Sequence, residues 1–91
     1  MKSEKEKMIS GEPYQASSEE LRSERQHAKE LVFDFNTLRP RQIKERKAIL
    51  KSLLGKTKSR FLIEQPFYCD YGYNIEVGEN FCANHRLVIL D

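Results

Sequence analysis

From Gln65 to Asp91 the chain repeats with a period of six: Gln65-Pro-Phe-Tyr-Cys-Asp, Tyr71-Gly-Tyr-Asn-Ile-Glu, Val77-Gly-Glu-Asn-Phe-Cys, Ala83-Asn-His-Arg-Leu-Val, then Ile89-Leu-Asp. After the first block, each block opens on a residue suited to an interior (Tyr71, Val77, Ala83, Ile89). The fifth place of each complete block is again apolar or small: Cys69, Ile75, Phe81, Leu87. A period of two describes one strand. A period of six with Gly or Asn at fixed offsets describes short strands separated by corners, the pattern of a solenoid whose coils hide their apolar faces by stacking.

Length limits what can accompany such a coil. Ninety-one residues form one small domain with a modest core, and charged residues make up 33% of them, which fits several solvated helical faces. No run approaches the ~20 apolar residues of a membrane span. The opening Met1-Lys-Ser-Glu-Lys-Glu-Lys mixes charges of both signs without an apolar run, which is not a secretory pattern, so the expected compartment is the cytoplasm. Cys69 and Cys82 are expected as reduced thiols, Cys69 at an inward place. His27 and His85 stand in no metal-ligand pattern with them, and no metal is assigned.

Upstream of the repeat the pattern is helical. Glu4 to Ser10 predicts a short helix stopped by Gly11, and Glu12-Pro13 an extended connector anchored by Tyr14. Ser17-Ser-Glu-Glu20 has the spacing of a capping box opening a helix from Ser18 to about Phe35, with Leu21, Ala28, Leu31, Val32 and Phe35 on its buried face. After Pro40, the residues Ile43, Leu50, Leu53 and Leu54 predict the stripe of a further helix ending at Gly55, and the two stripes face each other in a hairpin. Lys56 to Ser59 reads as a linker, Phe61-Leu-Ile63 as a β run into the first coil, and Pro66 as its entry corner. The segment Arg39–Arg60 carries a net charge of +8 against −6 for the remainder. Without interleaved aromatic residues it reads as a solvated helical face paired with Glu19, Glu20 or Glu24 rather than a nucleic-acid surface, the alternative such clusters raise.

The run Phe67-Tyr-Cys-Asp-Tyr-Gly-Tyr-Asn-Ile, followed by Val77-Gly-Glu-Asn-Phe-Cys-Ala-Asn, resembles the entry into the β-helix of the maltose and galactoside O-acetyltransferases, members of the hexapeptide-repeat acyltransferases. Glu4-Lys-Glu-Lys-Met-Ile-Ser-Gly-Glu-Pro-Tyr and Glu30-Leu-Val-Phe-Asp-Phe-Asn are similar to the helical cap before it. The resemblance implies an α+β fold: a helical hairpin cap over residues 1–60, then the first coils of a left-handed parallel β-helix over 61–91. It further implies a homotrimer and transfer of acetyl from acetyl-CoA to a sugar 6-hydroxyl, while the residues themselves, with no apolar span and no aromatics in the basic run, point to no membrane and no nucleic acid.

Such a transfer needs a base for the hydroxyl proton, donors for the oxyanion and a groove for the coenzyme. By resemblance the base is a histidine of a Gly-His-Pro motif beyond Asp91, matched by neither His27 nor His85. The piece in hand is therefore expected to be inactive alone, the first part of such an enzyme. The alternative is a non-catalytic interaction module derived from that family. On the acceptor side, Asn84 matches the asparagine that bonds a sugar hydroxyl, with a left-handed solenoid corner as the competing reading of the same residue. Asp70 matches a polar acceptor contact that is serine in the galactoside enzymes. Cys82 stands where an aromatic packs on the sugar. Tyr14 lies in the stretch near the sugar, with a packed aromatic as its other reading. Ala16 replaces an acidic residue there, and Asp91 opens a run in which a further contact is expected.

Overall fold

The computed structural model describes residues 2–91. Three helices precede six short strands: α1 Glu4–Ile9, α2 Glu19–Thr37, α3 Ile43–Leu53, then β1 Lys56–Thr57, β2 Phe61–Ile63, β3 Phe67–Cys69, β4 Glu76–Val77, β5 Phe81–Ala83 and β6 Leu87–Ile89. α1 ends before Gly11, whose φ of +82° turns the chain without a side-chain penalty.

The capping box lies on a different helix from the one expected. It opens α1, where the Ser3 hydroxyl accepts from the Glu6 N–H and the Glu6 carboxylate accepts from the Ser3 N–H. α2 begins at Ser18, which accepts from Leu21 N–H; with leucine at that third position the reciprocal half cannot form.

The buried face of α2 is Leu21, Ala28, Val32 and Phe35, with Leu31 partly buried. α3 answers with Leu50, Leu53 and the capping Leu54, but Ile43 is a correction: it is 66% exposed. The inward place of that first turn belongs to Arg46, whose guanidinium donates to Pro40 O at 2.8 Å and Ile63 O at 3.3 Å, with Glu64 3.8 Å away. Buried carbonyls need donors. A guanidinium supplies them where isoleucine could not.

The strands pair only with their counterparts one coil later, always in parallel: β1 with β4, β2 with β5, β3 with β6. Lys56 sits opposite Glu76, Phe61 opposite Phe81 and Phe67 opposite Leu87, an offset of 20 residues in each case. Three six-residue sides would give 18. Six residues separate the inward Thr57, Ile63 and Cys69, and again Val77, Ala83 and Ile89; eight separate Cys69 from Val77, so the corner Asp70–Glu76 holds two more residues than the others. The phase read from the sequence is therefore right for the second coil and two residues out in the first. Lys56–Thr57, read as linker, is the first strand.

The cap seals the open end of coil one in two ways. Phe35 of α2 packs edge-on against Phe67 of β3, ring centroids 6.5 Å apart, both fully buried and each contributing about 1.5–3 kcal/mol by leaving water. Asn36 then acts as a surrogate strand: its amide N–H donates to Phe67 O at 3.0 Å, and its carbonyl accepts from Phe67 N–H at 2.9 Å. Gln65 Nε2 donates back to Phe35 O and Leu38 O at the end of α2. An uncovered strand edge is a liability, and here helix side chains close it.

Candidate functional site

The long corner Asp70–Glu76 is built around one carboxylate. Gly72, at φ +90°, lets the chain turn inward with its backbone against Leu53. The turn points successive N–H groups at Asp91: Oδ1 accepts from Asp70 (3.2 Å) and Tyr71 (2.9 Å), Oδ2 from Gly72 (2.7 Å) and Asn74 (3.3 Å). Asn74 Nδ2 adds a bond to Asp91 O at 2.9 Å. Bonds to an ionised acceptor are the stronger kind, and this carboxylate receives four from the backbone.

Two tyrosines leave this corner toward the cap, ring centroids 5.3 Å apart. Tyr71 accepts from Arg25 Nη1 at 2.8 Å, while Tyr73 donates to Glu24 Oε2 at 2.6 Å. Glu24 also accepts from Lys5, whose ammonium lies 4.6 Å from the Tyr73 ring centre, so α1, α2 and the coil meet at one carboxylate. Burial pushes the Glu24 carboxyl up, but the bonds from Lys5 and Tyr73 outweigh it and hold it below its usual range. Burial first, and Glu24 next, push the Tyr73 phenol upward. Burial, then the Asp91 and Asp70 carboxylates, raise the Cys69 thiol to about 12, so it stays protonated and packs as a small apolar group. None of this network was visible in the sequence: Glu24 and Tyr73 stand 49 residues apart.

The matched acceptor residues fall into separate places. Asp70 and Asp91 share the long corner, Asp70 half-buried. Cys82 and Asn84 lie on the other side of β6, at β5 and the corner after it, both exposed. Cys82 points outward, in register with Leu62. Tyr14 is exposed in the connector between α1 and α2, which is tied to α1 by Gln15 N–H donating to Glu4 at 3.1 Å. The left-handed residues of the second coil are Asn80 (φ 63°) and Arg86 (φ 65°). Asn84 is not among them, so backbone geometry does not account for an asparagine there.

Asp91 faces inward to its own chain and has its carboxylate engaged by the corner. His27 is exposed on α2, and His85 bonds through Nδ1 to Gln65 O at 2.6 Å. The basic segment is spread over α3 and coil one: Arg46 is buried, Lys47 donates to Ser59 O, and Lys56 sits opposite Glu76. Its expected partner Glu24 is taken by Lys5 and Tyr73; the ion pair the segment does make, among the described residues, is Arg46 with Glu64.

A parallel three-sided coil built largely from six-residue sides is the architecture of hexapeptide repeats, and here a helical cap covers its first coil. Residues 7–58 match the model of the maltose acetyltransferase hexapeptide capping motif, and the chain belongs to that family. It superposes on the crystal structure of a maltose O-acetyltransferase from Clostridium difficile 630 with a TM-score of 0.97 and 44% identity, covering 99% of this chain and 48% of that one. A galactoside acetyltransferase in complex with coenzyme A gives a TM-score of 0.90 at 30% identity, covering 100% and 46%. The Escherichia coli galactoside O-acetyltransferase is 31% identical over 86 residues, 94% of this chain and 42% of its own length. The coil is thus the left-handed β-helix of these proteins. The chain spans less than half the length of each of them. No described helix is long and apolar enough to cross a membrane.

Proposed function

We propose that this chain supplies the cap (residues 1–60, reaching into the coil through Lys56–Thr57) and first coils (61–91) of an acetyl-CoA-dependent O-acetyltransferase of maltose or galactoside type, acting on a sugar 6-hydroxyl in the cytoplasm. The observation that carries the reading is the superposition on the Clostridium enzyme over nearly all of this chain. On this reading the acceptor contacts come from separate places on the chain: Asn84 and Cys82 at and after β5, Asp70 in the long corner, and Tyr14 in the connector between α1 and α2. The histidine base and the acetyl-CoA groove belong to the length of the relatives that the 91 residues do not span. Asn84 suits the role chemically, since its amide both donates to and accepts from a hydroxyl.

Association as a homotrimer is part of the proposal. Two sides of the coil carry apolar residues outward, Leu62 with Cys82 and Tyr68 with Val88, and exposed Ile43 and Phe33 lie beside Leu62 and Tyr68. Two different patches on one subunit suit a head-to-tail ring. The same patches favour the second reading, an interaction module without catalysis.

The two readings separate in one experiment. Joined to the C-terminal half of the Clostridium enzyme, this chain is expected to acetylate maltose with release of free coenzyme A, and Asn84→Ala to lower kcat/KM by roughly 10–100-fold, the range for one lost hydrogen bond to substrate. The 91 residues alone are expected to give no product. A folded, trimeric fusion without activity contradicts the enzymatic reading, and turnover by the 91 residues alone contradicts the placing of the base.

A further inference from the structure

Three residues of the second coil stand six apart, one at each corner, and each reaches down to the corner beneath. Glu79 accepts from Arg60 N–H at 2.5 Å and from Ser59 Oγ at 3.0 Å. His85 Nδ1 meets Gln65 O at 2.6 Å; a carbonyl only accepts, so Nδ1 carries the proton and donates. Asp91 accepts from Tyr71 and Gly72. Glu79, His85 and Asp91 thus sit over Ser59, Gln65 and Tyr71, the 20-residue offset of the strand pairs carried into the corners.

Two of the same places in the first coil do the same work against the cap, while the Ser59 side chain bonds only to Glu79 above it. Gln65 donates to the last carbonyls of α2, and Tyr71 takes the Arg25 guanidinium. The strands are two or three residues long and contribute few ladder bonds each; single backbone bonds continue the ladder at two corners, Asn80 N–H to Arg60 O at 2.6 Å and Arg86 N–H to Pro66 O at 2.8 Å, and the side chains of Glu79, His85 and Asp91 add to them.

We propose that Glu79, His85 and Asp91 are corner clamps, and that His85 and Asp91 are positioning residues which fix the two corners presenting Asn84 and Asp70. His85 directly follows Asn84 and ties that corner to Gln65; Asp91 holds the N–H of Asp70 itself. Glu79 secures the remaining corner, which carries none of the matched acceptor residues, and so provides an internal control. The link to Asn84 and Asp70 rests on the acceptor reading above; the clamping does not.

Amide hydrogen exchange of the 91-residue chain tests the clamps, and titration of the same protein with maltose or a methyl galactoside, followed by amide chemical shifts, tests the positioning. Asp91→Ala is expected to speed exchange at Tyr71 and Gly72 by roughly 10–100-fold while leaving Arg60 unchanged, and Glu79→Ala to do the reverse, because opening is local. Asp91→Asn, which keeps one acceptor oxygen, is expected to recover part of the protection. In the titration, Asp91→Ala and His85→Ala weaken sugar binding several-fold and Glu79→Ala leaves it unchanged. Exchange that rises across all strands together, or at neither corner, overturns the clamps. Equal weakening by all three variants overturns positioning by His85 and Asp91. No sugar-induced shift in the parent chain, with the exchange pattern intact, overturns the acceptor assignment and the positioning built on it, leaving the clamps standing.

Discussion

Gly72→Ala is expected to lower the melting temperature of this chain by at least about 10 °C, while Gly78→Ala, six residues on in the next corner, leaves it nearly unchanged. A Cβ on Gly72 would lie 2.4 Å from Leu53 O and 2.6 Å from Leu53 Cδ1, and the residue holds φ +90°. Neither contact can be relieved cheaply, since the carbonyl belongs to the end of α3 and the leucine is buried in the core. Strained backbone and steric overlap each cost on the order of 1–3 kcal/mol. In a domain of this size 1 kcal/mol moves the midpoint by roughly 4–8 °C. Gly55 makes the comparison sharper: its φ is not positive, yet an added Cβ would stand 2.2 Å from Tyr73 O. Gly11 has φ +82° with open space around it, so its substitution carries only the left-handed conformational cost of about 1–2 kcal/mol. The expected order of damage in thermal melts is Gly72 and Gly55 well above Gly11, with Gly78 last. Equal melting temperatures for the Gly72 and Gly78 variants would show that the long corner does not pack against α3 as described.

Asn36→Leu is expected to destabilise by roughly 2–4 kcal/mol despite adding apolar surface. The amide of Asn36 is what Phe67 N–H and C=O bond to in place of a preceding strand. Leucine removes both partners and leaves a donor and an acceptor stranded beside a fully buried phenylalanine, at about 1–3 kcal/mol for each unsatisfied group. Asp at the same position keeps the acceptor and loses the donor, so Asn36→Asp should fall between the two. Urea denaturation measures the difference. A neutral Asn36→Leu would mean that the first strand edge is satisfied some other way, and that the cap covers the coil by apolar contact alone.

The sequence carried most of the coil and little of its seams. Residues 75 to 89 show their phase openly, because Ile75/Val77, Phe81/Ala83 and Leu87/Ile89 alternate in and out across regular corners. The first coil conceals its phase: Lys56–Thr57 has no apolar alternation to mark a strand, and the long corner between Cys69 and Val77 contains an apparent hexad, Tyr71 to Glu76, with Tyr71 at its head. Tyr71 is buried as an inward residue should be, but by a corner that folds onto Leu53 and Arg25, not by a strand. The start of α2 at Ser18 and its buried stripe were legible, whereas the capping box of α1 and the exposed first turn of α3 were not. Arg46 was not, since an arginine reads as surface until its carbonyl partners, supplied by Pro40 and Ile63, are in place. The proposed acceptor residues Asp70 and Asn84 come from the resemblance of their motif alone; the side chains bonded across those corners were not legible at all, because Asp91 over Tyr71 and His85 over Gln65 become neighbours only once the coil offset is known.

That offset is the point on which the whole account turns, and inter-strand nuclear Overhauser contacts read it directly. The parallel register places Leu62 beside Cys82 and Tyr68 beside Val88. The account predicts Hα to amide contacts between neighbours 20 residues apart along all three sides, with no close Hα–Hα pairs between strands. Close Hα–Hα pairs linking β5 to β6 would mark an antiparallel hairpin, and with it neither the stacked corners nor their clamps could exist.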